Sequence, residues 1–189
     1  MQPQLEPDYE AALVRQAQDD PTHFNKLYRA YVDRVYAYVA YRLKHTQEAE
    51  DLTAVIFMQA LRRLSQYDPV RGSFSAWLFG IARHAIFDYW RHDSRQNMLL
   101  HKNDSNSAAV ASPENLVIQS EQAAQIHRLI AMLPDRRQEV VTLKFFGGLR
   151  NKEIAVVLEL DERTVASHLS RALADLRKLL VAEEQHDTT

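Results

Sequence analysis

Apolar residues recur along this chain at spacings of three and four, and nowhere with the strict alternation of a half-buried strand. Phe24, Leu27, Tyr28, Tyr31, Val35, Tyr38 and Val39 share one face of a predicted helix. Ala49, Leu52, Ile56 and Ala60 mark a second. Tyr67-Asp68-Pro69-Val70-Arg71-Gly72-Ser73 then breaks the periodicity, because Pro and Gly end a helix, and predicts a loop. A third helix follows from about Ser75 to Trp90, with Trp77, Leu78, Ile81 and Ala85 inward. From His92 to Pro113 the chain is rich in Ser, Asn, Asp and Ala, and Asn103 to Ser107 reads as polar and flexible. Ser112-Pro113-Glu114 reads as a helix start, with Ser as cap and Pro in the first turn.

The periodicity then returns. Ile126, Leu129, Ile130 and Leu133 form one stripe, which Pro134 ends. Asp135 followed by Gln138 resembles a capping box for the next helix, which runs through Val140, Leu143 and Phe146 to Gly147-Gly148. Asn151 is placed to cap a short helix holding Ile154, Ala155 and Leu158. Asp161 is placed to cap a last helix with Val165, Leu169, Ala172, Leu176 and Leu180 on one face. The pattern predicts an all-α chain of two small helical domains joined by a flexible linker. An acidic segment (1–22) leads to a bundle of three or four helices (23–92), a linker (93–113), a four-helix domain (114–181) and an acidic tail (182–189).

Residues 151–173 have the spacing of a helix-turn-helix. The two helices cross closely, so a small residue is wanted inside the first, and Ala155 is there. Val165, ten residues on, packs back across the turn, with Ile154, Leu160 and Leu169 completing a small core. This leaves one face of the second helix for a major groove. It carries Arg163, Thr164, Ser167, His168 and Arg171, short donors and long cations suited to base edges and phosphates, with Arg177 and Lys178 further along for the backbone. Glu159 stands where such a turn usually has Gly. An ordinary helical hairpin satisfies the same spacing, so the motif alone leaves both readings open.

Composition narrows the field. Hydrophobic residues make up 46% of the 189, enough for a buried core. The absence of cysteine removes disulfides and thiolate metal sites and suits a reducing compartment. No apolar run approaches a bilayer span, and Met1 to Glu10 is polar and acidic rather than a signal peptide, so a cytoplasmic location without membrane insertion is expected. The net charge of -2 conceals two basic blocks, +4 over residues 24–92 and +3 over 126–180, between acidic flanks. His84, Asp88 and His92 share a helix face and invite a metal reading, but no fourth ligand or general base accompanies them. No phosphate-binding Gly loop, Ser-His-Asp order or carboxylate pair stands out. The expectation is therefore a protein that is not an enzyme and holds no cofactor.

Four segments in order resemble the extracytoplasmic-function (ECF) sigma factors, over about residues 9–181. Leu133-Pro134-Asp135-Arg136-Arg137-Gln138-Glu139-Val140 is similar to the entry into sigma region 4. Gly148 to Ala155 and Arg163 to Leu173 resemble its helix-turn-helix. Glu48-Ala49-Glu50-Asp51-Leu52-Thr53 with Phe57 resembles region 2.2, and Phe74 to His84 with Asp88 and Arg91 resembles regions 2.3 and 2.4. Ala54 and Val55 stand where the family has a polar residue and an acid, and His84 where it commonly has Asn.

The resemblance implies binding to core RNA polymerase through Glu48, Asp51, Leu52, Val55 and Ile56. It implies reading of the promoter −10 element by Asp68, Arg71, Ser73, Phe74, Arg83, His84 and Arg91, with a flipped base captured by the 67–74 loop. It implies reading of the −35 element by Arg163, Thr164, Ser167, His168, Arg171, Arg177 and Lys178. An anti-sigma partner is implied as well, and no appended regulatory domain is expected after region 4. A stand-alone helix-turn-helix regulator is the alternative; it accounts for residues 126–180 and leaves the first block unexplained.

Overall fold

A computed structural model describes residues 6–43, 45–100 and 121–186. Eight α-helices carry the fold and no strand occurs among the described residues. The first four are α1 (Pro7–Asp19), α2 (Phe24–Arg42), α3 (Thr46–Arg63) and α4 (Phe74–Leu100). The second four are α5 (Glu121–Ala131), α6 (Asp135–Phe145), α7 (Asn151–Leu158) and α8 (Glu162–His186).

The first bundle is built on aromatic packing. Tyr31, Tyr38, Phe74 and Phe79 are all fully buried. Tyr31 meets Phe74 edge-on at 5.4 Å between centroids, and Tyr38 meets Phe79 at 5.6 Å. Such pairs add about 0.5–1.5 kcal/mol each beyond the area they remove from water. The predicted α2 stripe is this core: Phe24, Leu27, Tyr31, Val35, Tyr38 and Val39 are buried. Tyr28 is half-exposed and holds the ring of Phe57 at 4.8 Å.

Several local expectations are corrected. The sequence reading placed no helix before residue 23, yet α1 buries Leu13, Val14 and Ala17, with Pro7 pre-set at its first turn. Helix α4 continues past Trp90 to Leu100, because residues 91–100 contain neither Gly nor Pro to stop it. Asp135 and Gln138 form no capping box. Gln138 instead turns back and donates to the carbonyls of Ala131 and Leu133, both at 2.9 Å, closing the end of the preceding helix. Asn151 is the first residue of α7 rather than its cap; the Arg150 amide donates to the Glu153 carboxylate at 2.7 Å. The helix start at Ser112-Pro113-Glu114 and the polar stretch at 103–107 lie outside the described residues.

The two bundles lie against each other. Helix α7 packs on α4, and α6 on α2. One apolar core runs through both, joining Val35, Phe79 and Ile86 to Leu143, Leu149, Ile154 and Val165. A smaller cluster under α8 holds Ile130, Leu133, Val141 and Ala172, and it too takes a residue from the first bundle, Tyr41, which stacks on Phe146 at 5.1 Å. The glycines at the end of α6 permit this approach. A methyl on Gly147 would lie 2.7 Å from the Leu143 carbonyl and 2.9 Å from the Phe79 ring, and Gly148 has φ +65°.

Candidate nucleic-acid interface

Helices α7 and α8 form the predicted helix-turn-helix. Ile154, Ala155, Leu158 and Val165 are buried at the crossing. The turn is made at Glu159, whose φ of 55° and ψ of 44° lie in the left-handed region, at a cost of roughly 1–2 kcal/mol for a residue with a Cβ. The Leu160 amide closes it by donating to the Ala155 carbonyl at 2.9 Å. Asp161 caps α8, accepting from the Thr164 amide at 2.8 Å and from the Thr164 hydroxyl at 2.6 Å. These Thr164 hydrogen bonds hold the Asp161 carboxyl below its ordinary range.

On α8, Arg163, Arg171, Arg177 and Lys178 are exposed. Thr164, Ser167 and His168 are half-buried; Thr164 is engaged by the cap, and His168 Nδ1 is buried without a hydrogen-bond partner. Ser170, not singled out from the sequence, is exposed beside Arg171.

The loop before α4 is a turn organised by Asp68. Its carboxylate accepts from the Val70 amide at 2.9 Å and lies 3.7 Å from Arg71 Nε, and its carbonyl accepts from the Arg71 amide at 3.1 Å. The Tyr67 hydroxyl donates to the Gly72 carbonyl at 3.0 Å. Val70 and Arg71 stand in solvent, whereas Phe74 is fully buried against Tyr31, Tyr67 and Trp77. Along α4, His84 is exposed and Arg91 is paired with Asp88.

The third set lies on α3. Asp51 and Val55 are exposed and Leu52 is half-buried. Glu48 accepts from the Tyr89 hydroxyl at 2.6 Å, and Ile56 is fully buried. Two residues absent from the sequence reading extend this face, Met58 and Leu61, at 52% and 40% exposure.

The seam between the bundles brings together groups that sequence reasoning did not connect. Glu139 of α6 is buried and faces three guanidinium groups: Arg83 Nε at 2.6 Å, Arg136 at 3.3 Å and Arg42 at 3.8 Å. Glu153 of α7 accepts from the Ser73 hydroxyl at 2.8 Å and from that of Ser75. Arg34 of α2 donates to the Gly147 carbonyl at 2.8 Å. Beside these contacts lies a cavity of about 380 Å³, lined among others by Glu10, Tyr31, Arg34 and Arg150. Burial pushes the Glu10 carboxyl up to about 7, reinforced by Glu153 and opposed by the Phe74 amide, Arg34 and Arg150. Among the described residues no cluster of three or more His, Cys, Asp or Glu is placed to hold a metal ion, and no helix is long and apolar enough to cross a membrane.

Comparison with known proteins gives this geometry its relatives. The Sigma-70 region 2 profile matches residues 27–96, and the Sigma-70 region 4 profile matches residues 123–176. The chain is 34% identical over 171 residues to the ECF RNA polymerase sigma factor BldN of Streptomyces coelicolor, a match that covers 89% of this chain and 64% of BldN. It is 28% identical over 180 residues to the ECF RNA polymerase sigma factor SigK of Mycobacterium tuberculosis, covering 94% of this chain and 96% of SigK. In fold it is similar to CnrH, solved in complex with the cytosolic domain of CnrY, with a TM-score of 0.66 and 22% identity over 92% of this chain and 97% of that one.

Proposed function

The chain belongs to the ECF sigma factors of the sigma-70 family, and from that membership we propose that it binds core RNA polymerase and directs promoter-specific initiation of transcription. The observation that carries this reading is the pairing of region 2 with region 4, in that order, on one chain whose second domain is a helix-turn-helix with an outward row of cations. A stand-alone regulator has no use for the first domain.

In this reading the roles divide by surface. The α3 face, with Asp51, Leu52, Val55 and Met58, docks on polymerase, where an acid-rimmed apolar patch suits a partner helix carrying bases. The 67–74 loop and α4 engage the −10 element. Arg163, Ser167, Arg171, Arg177 and Lys178 on α8 engage the −35 element, base edges being reached by the N-terminal end of the helix and phosphates by the distal cations. Thr164 acts through the cap it makes with Asp161, which sets the start of α8. The chain works in the cytoplasm and performs no catalysis of its own; it lends specificity to the polymerase. The sigma factor RpoE of Bartonella quintana was solved in complex with the anti-sigma factor NepR, and an anti-sigma partner is proposed for this chain as well.

The test is reconstitution. The purified chain is mixed with core RNA polymerase and assayed by run-off transcription on a library of genomic promoters. Transcripts that start only when both are present support the reading. A chain that ignores polymerase yet binds duplex DNA tightly alone refutes it.

A further inference from the structure

We propose that the cavity beside Arg34 is a binding site for a small phosphate monoester, held by Arg34 of α2, Arg150 and Lys152 at the start of α7, and Arg71 of the 67–74 loop. The inference adds a small-molecule ligand to the chain and does not depend on the sigma factor reading.

The charge of the cavity selects an anion. These four cations line its volume of about 380 Å³ together with two carboxylates, Glu10 and Glu153. Cations stay in excess at neutral pH even with both carboxylates ionised, and Glu10 is only half-ionised near pH 7. Glu153 is committed elsewhere, accepting from the Arg150 amide at 2.7 Å, from the Ser73 hydroxyl at 2.8 Å and from that of Ser75. Two helices also open beside the cavity, α4 with Ser75 and Ala76, and α7 with Lys152 and Glu153. Their positive dipole ends favour the same sign of ligand.

Arg34 supplies an independent observation. Its Nε–H goes to the Gly147 carbonyl at 2.8 Å, but its Nη2 is buried and has no hydrogen-bond partner among the described residues. Burial pulls the guanidinium down from its ordinary value, and Glu153 and Glu10 oppose this only in part. A buried donor without an acceptor is costly, and an anionic oxygen placed against it removes that cost.

The arrangement of the cations favours phosphate over carboxylate. They come from three separate elements, whereas a carboxylate offers two oxygens in one plane. A phosphate monoester offers three oxygens and a charge of about −1.5 to −2 near pH 7. The cavity lies within the usual size range of small-molecule sites and exceeds what inorganic phosphate fills. Pro69, Val70 and Val156 give the remaining wall an apolar lip for an organic body, and Val70 and Val156 are open to solvent. A DNA phosphate is the other source of this chemistry. It carries chain on both sides, however, and the buried Arg34 Nη2 suits a terminal phosphate with one substituent leading out.

The test is calorimetric titration of the full chain near pH 7 with phenyl phosphate, inorganic phosphate, phenol and oligodeoxythymidine. Saturable one-to-one binding of phenyl phosphate is expected, tighter than that of inorganic phosphate by about tenfold as the ring meets the apolar lip. Phenol is expected not to bind. Lys152→Ala and Arg34→Lys each weaken phenyl phosphate by about ten- to a hundredfold, the loss of one charge-assisted hydrogen bond. Lys152 is exposed, so its variant keeps the fold even where Arg34→Lys does not, and circular dichroism melts check both. Arg15→Ala, which removes an exposed cation outside the cavity lining, leaves binding unchanged.

Absence of saturable phenyl phosphate binding overturns the proposal, as does binding that Lys152→Ala leaves unchanged. Equal affinity for inorganic phosphate overturns the assignment to an ester. Oligodeoxythymidine that binds with the same sensitivity to Lys152→Ala, while phenyl phosphate does not bind, gives these cations to the DNA backbone instead. Run-off transcription tests the sigma factor reading separately, and its failure leaves the ligand site standing.

Discussion

Glu10 makes the fold sensitive to pH near neutrality. Its carboxyl lies at the cavity between the domains, takes a hydrogen bond from the Tyr31 hydroxyl, and sits at about 7 in the folded chain against an ordinary 4.5. Facing it are Tyr31 and Arg34 from α2, Tyr67 from the loop before α4, and Arg150 and Glu153 from the start of α7. Tyr67 is itself pushed up to about 12 and remains neutral throughout. The fold favours the protonated Glu10, so the stabilisation is fully present below 4.5 and is lost as pH rises through about 7. At about 1.4 kcal/mol per pH unit, the full displacement from 4.5 to about 7 corresponds to roughly 3.4 kcal/mol. The carboxyl is only partly removed from water, and screening reduces this to about 1–2 kcal/mol. Gln at this position mimics the protonated form and cannot ionise. Glu10→Gln is therefore expected to match the parent near pH 4 and to exceed it by about 1–2 kcal/mol at pH 8, in urea titrations at a series of pH values. Parallel stability curves for the two chains across that range would refute the reasoning.

Three further predictions concern single positions. Glu159→Gly relieves the left-handed turn of the helix-turn-helix and raises stability by about 1 kcal/mol, seen as a Tm increase of roughly 2–4 °C. Gly147→Ala drives a methyl into the Leu143 carbonyl and the Phe79 ring, lowering stability by about 1–3 kcal/mol in denaturant titrations and raising the susceptibility of the seam to proteases. Arg163→Ala weakens promoter binding by the reconstituted holoenzyme and relaxes its preference at the contacted base pair, while the slope of log affinity against log salt stays unchanged; a slope shallower by about one would place Arg163 on a phosphate and refute the base-edge assignment.

The helix faces and the helix-turn-helix were legible because their signals are local. The three- and four-residue spacing of Phe24 to Val39 is enough to define the buried side of α2, and Ala155 with Val165 is enough to define the crossing of α7 and α8. The strained turn at Glu159 was also visible, since the motif wants Gly there. Helix α1 was missed because its buried residues are few, Leu13, Val14 and Ala17, and stand among acids and glutamines, which reads as a polar tail. The seam was out of reach for a different reason. Arg83 pairs with a partner 56 positions away, and Ser73 with one 80 positions away. Such pairs leave no periodic trace, and Arg83 and Ser73 already had a sufficient local account as DNA contacts.

The chain also contains its own optical reporter. Its two tryptophans, Trp77 and Trp90, both belong to α4, so intrinsic fluorescence samples the first bundle alone. Trp90 lies under the guanidinium of Arg42, 5.3 Å from its ring centre, and Arg42 in turn faces Glu139 across the seam. While the domains are together, the carboxylate balances the positive charge above the indole. When they part, that balance is lost and the field across the ring changes, which moves the emission maximum even though Trp90 itself stays in place. Emission from Trp90 therefore reports on the charge balance at the seam without an added dye.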